Sequence, residues 1–354
     1  MLRTRPLAAG PESIIMKITP AFATLALCTL LLAGCADNGP APGTGEPSPP
    51  EQAAAPTAVP WFQGSVDEAF ATAKAEQKPL FLYWGADWCP YCKELEATIF
   101  IRDEFIRMSQ QFIPLNMSNG DSETIRYADK FAIYGLPTVI VFNPAGEELT
   151  RIRGGMDIEQ YAAVLDLTLN EVRPVAKLVD AAIAGEALAP ADWELLANYS
   201  WGQDRGQALG EDDPVGRLLA LHSACPADNR LARSRLALGA LEVWLHQDKN
   251  DRAGGLAPVH LASVEGVLAD PLLAKANLSA LAGYGRDIVE LAEGDRQLAL
   301  QQSLLELYRP AVMDESLHVL KRASVLSGWA DVASALLALT LLRIKKATLH
   351  KEPK

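Results

Sequence analysis

Hydrophobic and polar positions divide the chain into four stretches of different period. Residues 21–33 form one short, predominantly apolar run, and residues 36–60 show no period. Between about 61 and 170, apolar runs of strand length alternate with segments whose apolar residues recur at helical spacing. The elements expected there begin with a helix over 65–77: Ser65 and Glu68 stand at capping-box spacing, and Ala69, Phe70 and Ala73 make an apolar face. PLFLYWG, Pro79–Gly85, is continuous enough for a strand buried on both faces. A helix follows from Cys89, with Leu95 and Ile99 inward, then a helix over 102–111, a strand over 112–118 and a helix over 121–134. Strands 137–142 and 147–153 read as a hairpin about Asn143-Pro144-Ala145-Gly146. A helix over 156–169 closes the order αβαβαββα.

Beyond residue 171 the pattern is helical throughout. Helices are expected at 174–186, 190–201, 214–223, 229–247, 258–269, 271–283, 286–308, 311–326 and 328–347. No hairpin signal and no fixed repeat accompany them, and their lengths suit antiparallel pairs in a bundle or α-solenoid. The apolar run Val332–Leu342 is too short to span a bilayer, so it reads as a buried terminal helix. Arg343, Lys345, Lys346 and Lys351 suit its C-terminal end, and a membrane-surface role is the alternative. No catalytic constellation stands out in this half. Partner binding or dimerisation is its expected role.

The first two stretches concern address. Arg3, Arg5 and Lys17 precede the apolar run, whose length suits a signal peptide, and Met16 is a second candidate start. LLAGC, Leu31–Cys35, resembles the lipobox of bacterial lipoproteins, which implies lipidation of Cys35 as the mature N-terminus. An ordinary signal peptide or an uncleaved anchor is the alternative. The resemblance implies a protein anchored to a membrane by lipid rather than spanning it, in the bacterial cell envelope and facing the periplasm. Residues 36–60 hold seven prolines and three glycines. They cannot form a core and read as a disordered tether, reaching roughly 75 Å at about 3.1 Å per residue if extended.

Composition narrows the chemistry. At 354 residues, 49% hydrophobic and 21% charged, the chain has room for about two domains with packed cores. A net charge of −12 argues against a nucleic-acid partner. Of five cysteines, Cys28 lies in the signal and Cys35 in the lipobox, leaving the pair Cys89 and Cys92 and a lone Cys225. The pair alone could be a redox dithiol, half of a metal site or a static disulfide. Zinc would need a second pair or two well-placed histidines, and His222, His246, His260, His318 and His350 do not pair at ligand spacing. No metal or other cofactor is therefore expected, and a catalytic dithiol is favoured. Its place at a strand-to-helix turn favours thiolate at the helix N-terminus. Cys89 is then expected to be exposed and nucleophilic, Cys92 buried and resolving, and Pro90 tolerated in the first turn. Cys225 reads as a buried or idle thiol.

The element order, WCPYC (Trp88–Cys92) and GLPT (Gly135–Thr138) resemble the thioredoxin family. More narrowly, ADWCxxCKE, GLPT and the later GxMD (Gly154–Asp157) resemble the C-terminal thioredoxin-like domain of the bacterial thiol:disulfide interchange protein DsbD. The likeness covers about 110 residues. It implies a central mixed sheet flanked by helices over 61–170, followed by an all-α region over 171–354. It also implies a cis peptide before Pro137, with Trp88, Pro90, Tyr91, Leu136 and Pro137 forming the substrate-binding surface, and an acidic neighbour in Glu94. One departure is informative. The family carries a buried acid six residues before the first cysteine, and here that position is Tyr83. The family's lysine on the next strand falls on Pro114. Either Glu94, water or the Tyr83 hydroxyl then moves the resolving proton, or that transfer is slower; a phenol is a poor base at neutral pH, so Tyr83 also reads as core filling. The dipeptide Pro90-Tyr91 is common in glutaredoxins, whose potentials of about −200 to −230 mV lie between about −270 mV for thioredoxin and about −120 mV for DsbA.

These readings imply an anchored thiol:disulfide oxidoreductase. Its partners would be disulfide-containing periplasmic proteins and an upstream electron donor protein. The other reading is a partner-binding or chaperone-like scaffold, in which the helical half acts and the thioredoxin fold is a docking module.

Overall fold

The central strand has neighbours on both sides and helices on both faces, which explains its unbroken apolar run. The computed structural model describes residues 57–118, 122–153, 158–169, 173–247 and 256–349. The expected signal and lipobox with Cys35, the tether to residue 56 and the Gly154–Asp157 motif lie outside them. Four strands, β1 (Leu80–Trp84), β2 (Ile113–Asn116), β3 (Thr138–Phe142) and β4 (Glu148–Arg153), form a sheet in the order β2-β1-β3-β4. β1 runs parallel to β2 and antiparallel to β3, and β3 and β4 form the hairpin. Its turn is closed by Asn143, whose Oδ1 accepts from the amides of Ala145 (3.0 Å) and Glu147 (2.9 Å), while Gly146 supplies the positive φ of 85°.

The period of two along β1 sorts the core into two layers. Phe81 and Tyr83 face α2 (Pro90–Thr98), α3 (Asp103–Met108) and α5 (Ile158–Leu169) and join Cys92, Phe100, Phe105 and Val164. Leu80, Leu82 and Trp84 face α1 (Val66–Glu76) and α4 (Ser122–Lys130) and join Ala69, Ala73, Tyr127 and Phe131. The capping box of α1 forms as its spacing predicts, with Glu68 accepting from the Ser65 amide at 2.8 Å. The expected strand over 112–118 is shorter, and the helix over 102–111 ends as a 3-10 turn at Ser109–Gln111. The folded part takes in Val59, which the composition assigns to the tether. Val59 is apolar and buried in the same cluster as Phe81.

The helical region comprises α6 (Val175–Ile183), α7 (Pro190–Asn198), α8 (Pro214–Ala224), α9 (Arg230–His246), α10 (Leu256–Leu268), α11 (Pro271–Ala276), α12 (Leu278–Glu290), α13 (Gly294–Met313) and α14 (Val319–Leu349). One cluster of buried apolar residues runs from Val175 to Val332. Several boundaries differ from expectation. The expected gap at 284–285 lies inside α12, and the expected helix 286–308 is interrupted between Glu290 and Gly294. The expected helix 271–283 breaks at Asn277, whose amide donates to Ser234 Oγ (2.9 Å) and back to Leu273 O (2.8 Å). α13 runs through Pro310 to Met313, where the missing donor costs only one bond in the last turn. α14 runs through Ser327 and Gly328, so the gap expected between 311–326 and 328–347 is absent. That glycine is a crossing point: a Cβ there would stand 3.0 Å from Ala282 Cα of α12. Among the described residues, no helix is long and apolar enough to cross a membrane.

Both long borders of the sheet are occupied. On β2, Pro114 brings no N–H of its own, and its carbonyl accepts from the Phe62 amide at 2.7 Å. On β4, the carbonyl of Arg151 accepts from the Ser200 amide at 2.9 Å, so the segment after α7 lies along that strand. The Arg151 side chain has no exposed surface. Its Nη1 donates to Ala132 O (3.1 Å), and its Nε and Nη2 donate to the two oxygens of Glu148 (3.0 and 2.9 Å). Burial works against the guanidinium's charge, and Glu148 and Tyr199 outweigh it, raising its pKa above the ordinary value. Glu148 Oε1 also accepts from the Tyr199 hydroxyl at 2.8 Å, which lies 3.1 Å from Asp204 Oδ1. The helical region is thus joined to the sheet through one buried polar chain.

Glu148→Ala leaves a buried guanidinium without its counter-charge, so the urea unfolding midpoint should fall by the equivalent of about 3–5 kcal/mol. Arg151→Met with Glu148→Gln should cost far less. An equal loss in the two variants would show that packing at this border, rather than the unpaired charge, sets the cost.

Candidate active site

β1 ends at Trp84, and the chain turns through Gly85, Ala86, Asp87 and Trp88 into α2. Cys89 is the N-cap of that helix: its backbone is extended (φ −89°, ψ 111°), and Pro90 occupies the first turn, where no donor is lost. Cys89 Sγ accepts from the Cys92 amide at 3.2 Å. The two cysteines form a disulfide, with Cα atoms 5.2 Å apart. In the reduced protein the same amide and the helix dipole stabilise a thiolate on Cys89.

Burial differs from the sequence expectation at the first cysteine. Cys92 is fully buried, but Cys89 keeps only 4% of its area exposed. Bonded to Cys92, it joins the layer of Phe81 and Tyr83, with Tyr91 and Leu136 packed against the same cluster. Trp88 is the exposed member of the motif at 79% and plays no part in the core. The Leu136–Pro137 bond is cis, at the entrance to β3. Cys225, at the end of α8, is a free buried thiol whose pKa burial raises. Among the described residues no cluster of three or more His, Cys, Asp and Glu stands at metal-binding distance.

The two relay candidates part company. Tyr83 is fully buried beneath the motif, and its hydroxyl donates to Glu96 Oε1 at 2.9 Å. Burial first, then that hydrogen bond and the Glu96 charge, push its ionisation far above the ordinary range. It is a donor, not a base, at neutral pH. Its ring also dictates a neighbour: a Cβ on Gly85 would stand 2.6 Å from Tyr83 Cζ. Glu96 is held from outside by Lys93 (3.0 Å), which also bonds Asp87 (2.9 Å). Glu94 instead meets His318 Nδ1, just ahead of α14. Its pKa is raised by burial, with the His318 charge pulling the other way. Sequence reading passed over Glu96, although its spacing of four from Cys92 puts both on one face of α2. It also passed over His318, Gln203 and Arg205, which reach the thioredoxin-like part from the helical region.

Comparisons with known proteins agree with this geometry. The family model described as a thioredoxin-like domain matches residues 66–168. The thiol:disulfide interchange protein DsbD of Yersinia pestis (strain Pestoides F) is 35% identical over 100 residues, covering 27% of this chain and 17% of that protein. DsbD of Escherichia coli (strain K12) is 31% identical over 99 residues, covering 27% and 18%. The chain thus spans under a fifth of the length of these curated relatives. A solved structure of the DsbH oxidoreductase shares 20% identity with a TM-score of 0.29, covering 36% of this chain and 95% of that one.

Thiol labelling after mild reduction should follow position at the helix N-terminus, since Cys89, Cys92 and Cys225 are all buried. An alkylating reagent at neutral pH should modify Cys89 first, and Cys92 and Cys225 only in denaturant, as located by peptide mass spectrometry. Labelling of Cys225 at the rate of Cys89 in the folded protein would contradict the activation of Cys89 by the helix N-terminus.

Proposed function

We propose that this chain, whose residues 66–168 are a thioredoxin-like domain related to that of DsbD, is a thiol:disulfide oxidoreductase acting on proteins outside the cytoplasm. The observation that carries the reading is the Cys89–Cys92 pair at a helix N-terminus, one sulfur fed by a backbone amide and packed beside the cis-proline loop. In the reductive direction the Cys89 thiolate attacks one sulfur of a substrate disulfide. The S–S bond breaks, the other substrate sulfur leaves and takes a proton, and a mixed disulfide forms. Cys92 then loses its proton and attacks Cys89 Sγ, releasing the second substrate thiol and closing the Cys89–Cys92 disulfide. A second thiol protein must return the two electrons. Because Tyr83 stays protonated, the proton of Cys92 passes to another acceptor.

The lipobox-like LLAGC supports anchoring through lipid on Cys35, and the likeness to DsbD supports a periplasmic setting. The Pro90-Tyr91 dipeptide supports a potential between those of thioredoxin and DsbA. Trp88, Tyr91, Leu136 and Pro137 would receive the substrate chain, with disulfide-containing envelope proteins as substrates.

Cys89→Ser should abolish reduction of insulin disulfides by the dithiol-charged protein, and Cys92→Ala should accumulate mixed disulfides separable on non-reducing gels. Insulin reduction at the wild-type rate by Cys89→Ser would sink the enzyme reading. Labelled palmitate should enter the wild type in cells and not Cys35→Ala; equal incorporation would overturn the anchoring. A glutathione redox titration should place the pair between about −270 and −120 mV.

A further inference from the structure

The loop that carries the cis-proline is held from the sheet by Arg151 and from the helical region by Gln203 and Arg205. Ala132, at φ 49°, takes a left-handed conformation that a non-glycine residue adopts at a cost, and its carbonyl is fixed by buried Arg151. Tyr134 is 61% exposed, and the Arg205 guanidinium lies over its ring, 4.6 Å from the centroid. The Thr138 hydroxyl makes a bifurcated donation, to Gly135 O at 2.6 Å and to Gln203 Oε1 at 3.3 Å. Gly135 and Gln203 fit closely: a Cβ at 135 would stand 2.9 Å from Gln203 Nε2. Gln203 therefore straddles the Leu136–Pro137 bond, contacting the residue before it and the residue after it.

The segment that carries Gln203 is itself fixed. Asp204 accepts from the amides of Ala208 (2.9 Å) and Leu209 (3.1 Å) and lies 3.1 Å from the Tyr199 hydroxyl. Tyr199 bonds Glu148, and Glu148 bonds Arg151. The Ser200 amide is bonded to the backbone of β4. A side chain mounted this way can set the position of a loop, because its own backbone has little freedom to follow the loop.

We propose that Gln203 is a positioning residue for disulfide exchange: it holds the Gly135–Thr138 loop in the shape that accepts an extended segment of a protein substrate, making the helical region a working part of the site. The inference rests on the oxidoreductase reading above. A substrate presented as a chain must lie along the loop while its sulfur meets Cys89, whereas a small disulfide needs only to reach Cys89. Gln203 therefore acts on selectivity between the two.

The test uses the full-length chain and two substrates, insulin and oxidised glutathione, each over a range of concentrations. For Gln203→Ala the ratio of kcat/KM on insulin to kcat/KM on glutathione disulfide should fall about 10-fold, mostly through KM, since a misplaced binding loop costs orientation rather than sulfur chemistry. Gln203→Glu, which keeps an acceptor for Thr138, should restore most of the ratio. Gly135→Ala, whose new methyl displaces the Gln203 amide without changing residue 203, should lower the ratio in the same direction. The thermal midpoint of Gln203→Ala, measured alongside, should match the wild type. An unchanged ratio in Gln203→Ala, or equal losses on both substrates, would overturn the inference and leave the oxidoreductase reading standing. A wild-type chain that reduces neither substrate would overturn the oxidoreductase reading, and this inference with it.

Discussion

A guanidinium with no access to water has to find all its partners where it lies. Arg151 meets that constraint with groups from three parts of the chain. Ala132 belongs to the loop before the cis-proline, Glu148 opens β4, and Tyr199 reaches Glu148 from the helical region. Removing any partner would leave charge or a polar group stranded in the interior, at a cost of several kcal/mol for an ion. The three parts are therefore fixed in one geometry. The shape of the cis-proline loop, the course of the segment after α7 and the placement of Gln203 all follow from how that one side chain is satisfied.

The dithiol depends on a second, more local constraint. The turn from β1 into α2 makes Cys89 the cap of the helix, so its sulfur takes the place usually filled by a serine or aspartate oxygen. Beneath it, where the resemblance to thioredoxins implies an acid, the tyrosine hydroxyl reaches across to Glu96. The exchange of residue type moves the carboxylate from the strand to the helix. It also explains the bare Cα at Gly85, since the ring of Tyr83 occupies the volume a side chain would need.

Much of this was legible in the residues. The unbroken apolar run at Leu80–Trp84, the capping box at Ser65 and Glu68, and the turn at Asn143–Gly146 are local signals, and the structure follows them. The WCPYC and GLPT motifs identified the fold of residues 66–168. What could not be read was long-range. Gln203 lies 65 residues from Thr138, and no periodicity links them. Cys89 lies buried in a cluster against which Tyr91 and Leu136 pack, and Leu136 comes from a segment distant in sequence. The gap expected between helices 311–326 and 328–347 is absent: α14 continues there and passes close to the backbone of Ala282 at Gly328, a long-range crossing that no local pattern shows.

The two covered borders of the sheet have a consequence for the company such a protein keeps. Chains with unformed or wrong disulfides expose bare strands, and bare strands recruit one another into aggregates through unpaired edges. Here Phe62 and the imino residue Pro114 blunt one border, and Ser200 blunts the other. A sheet bordered in this way offers less unpaired backbone to a neighbouring strand than one with two bare edges.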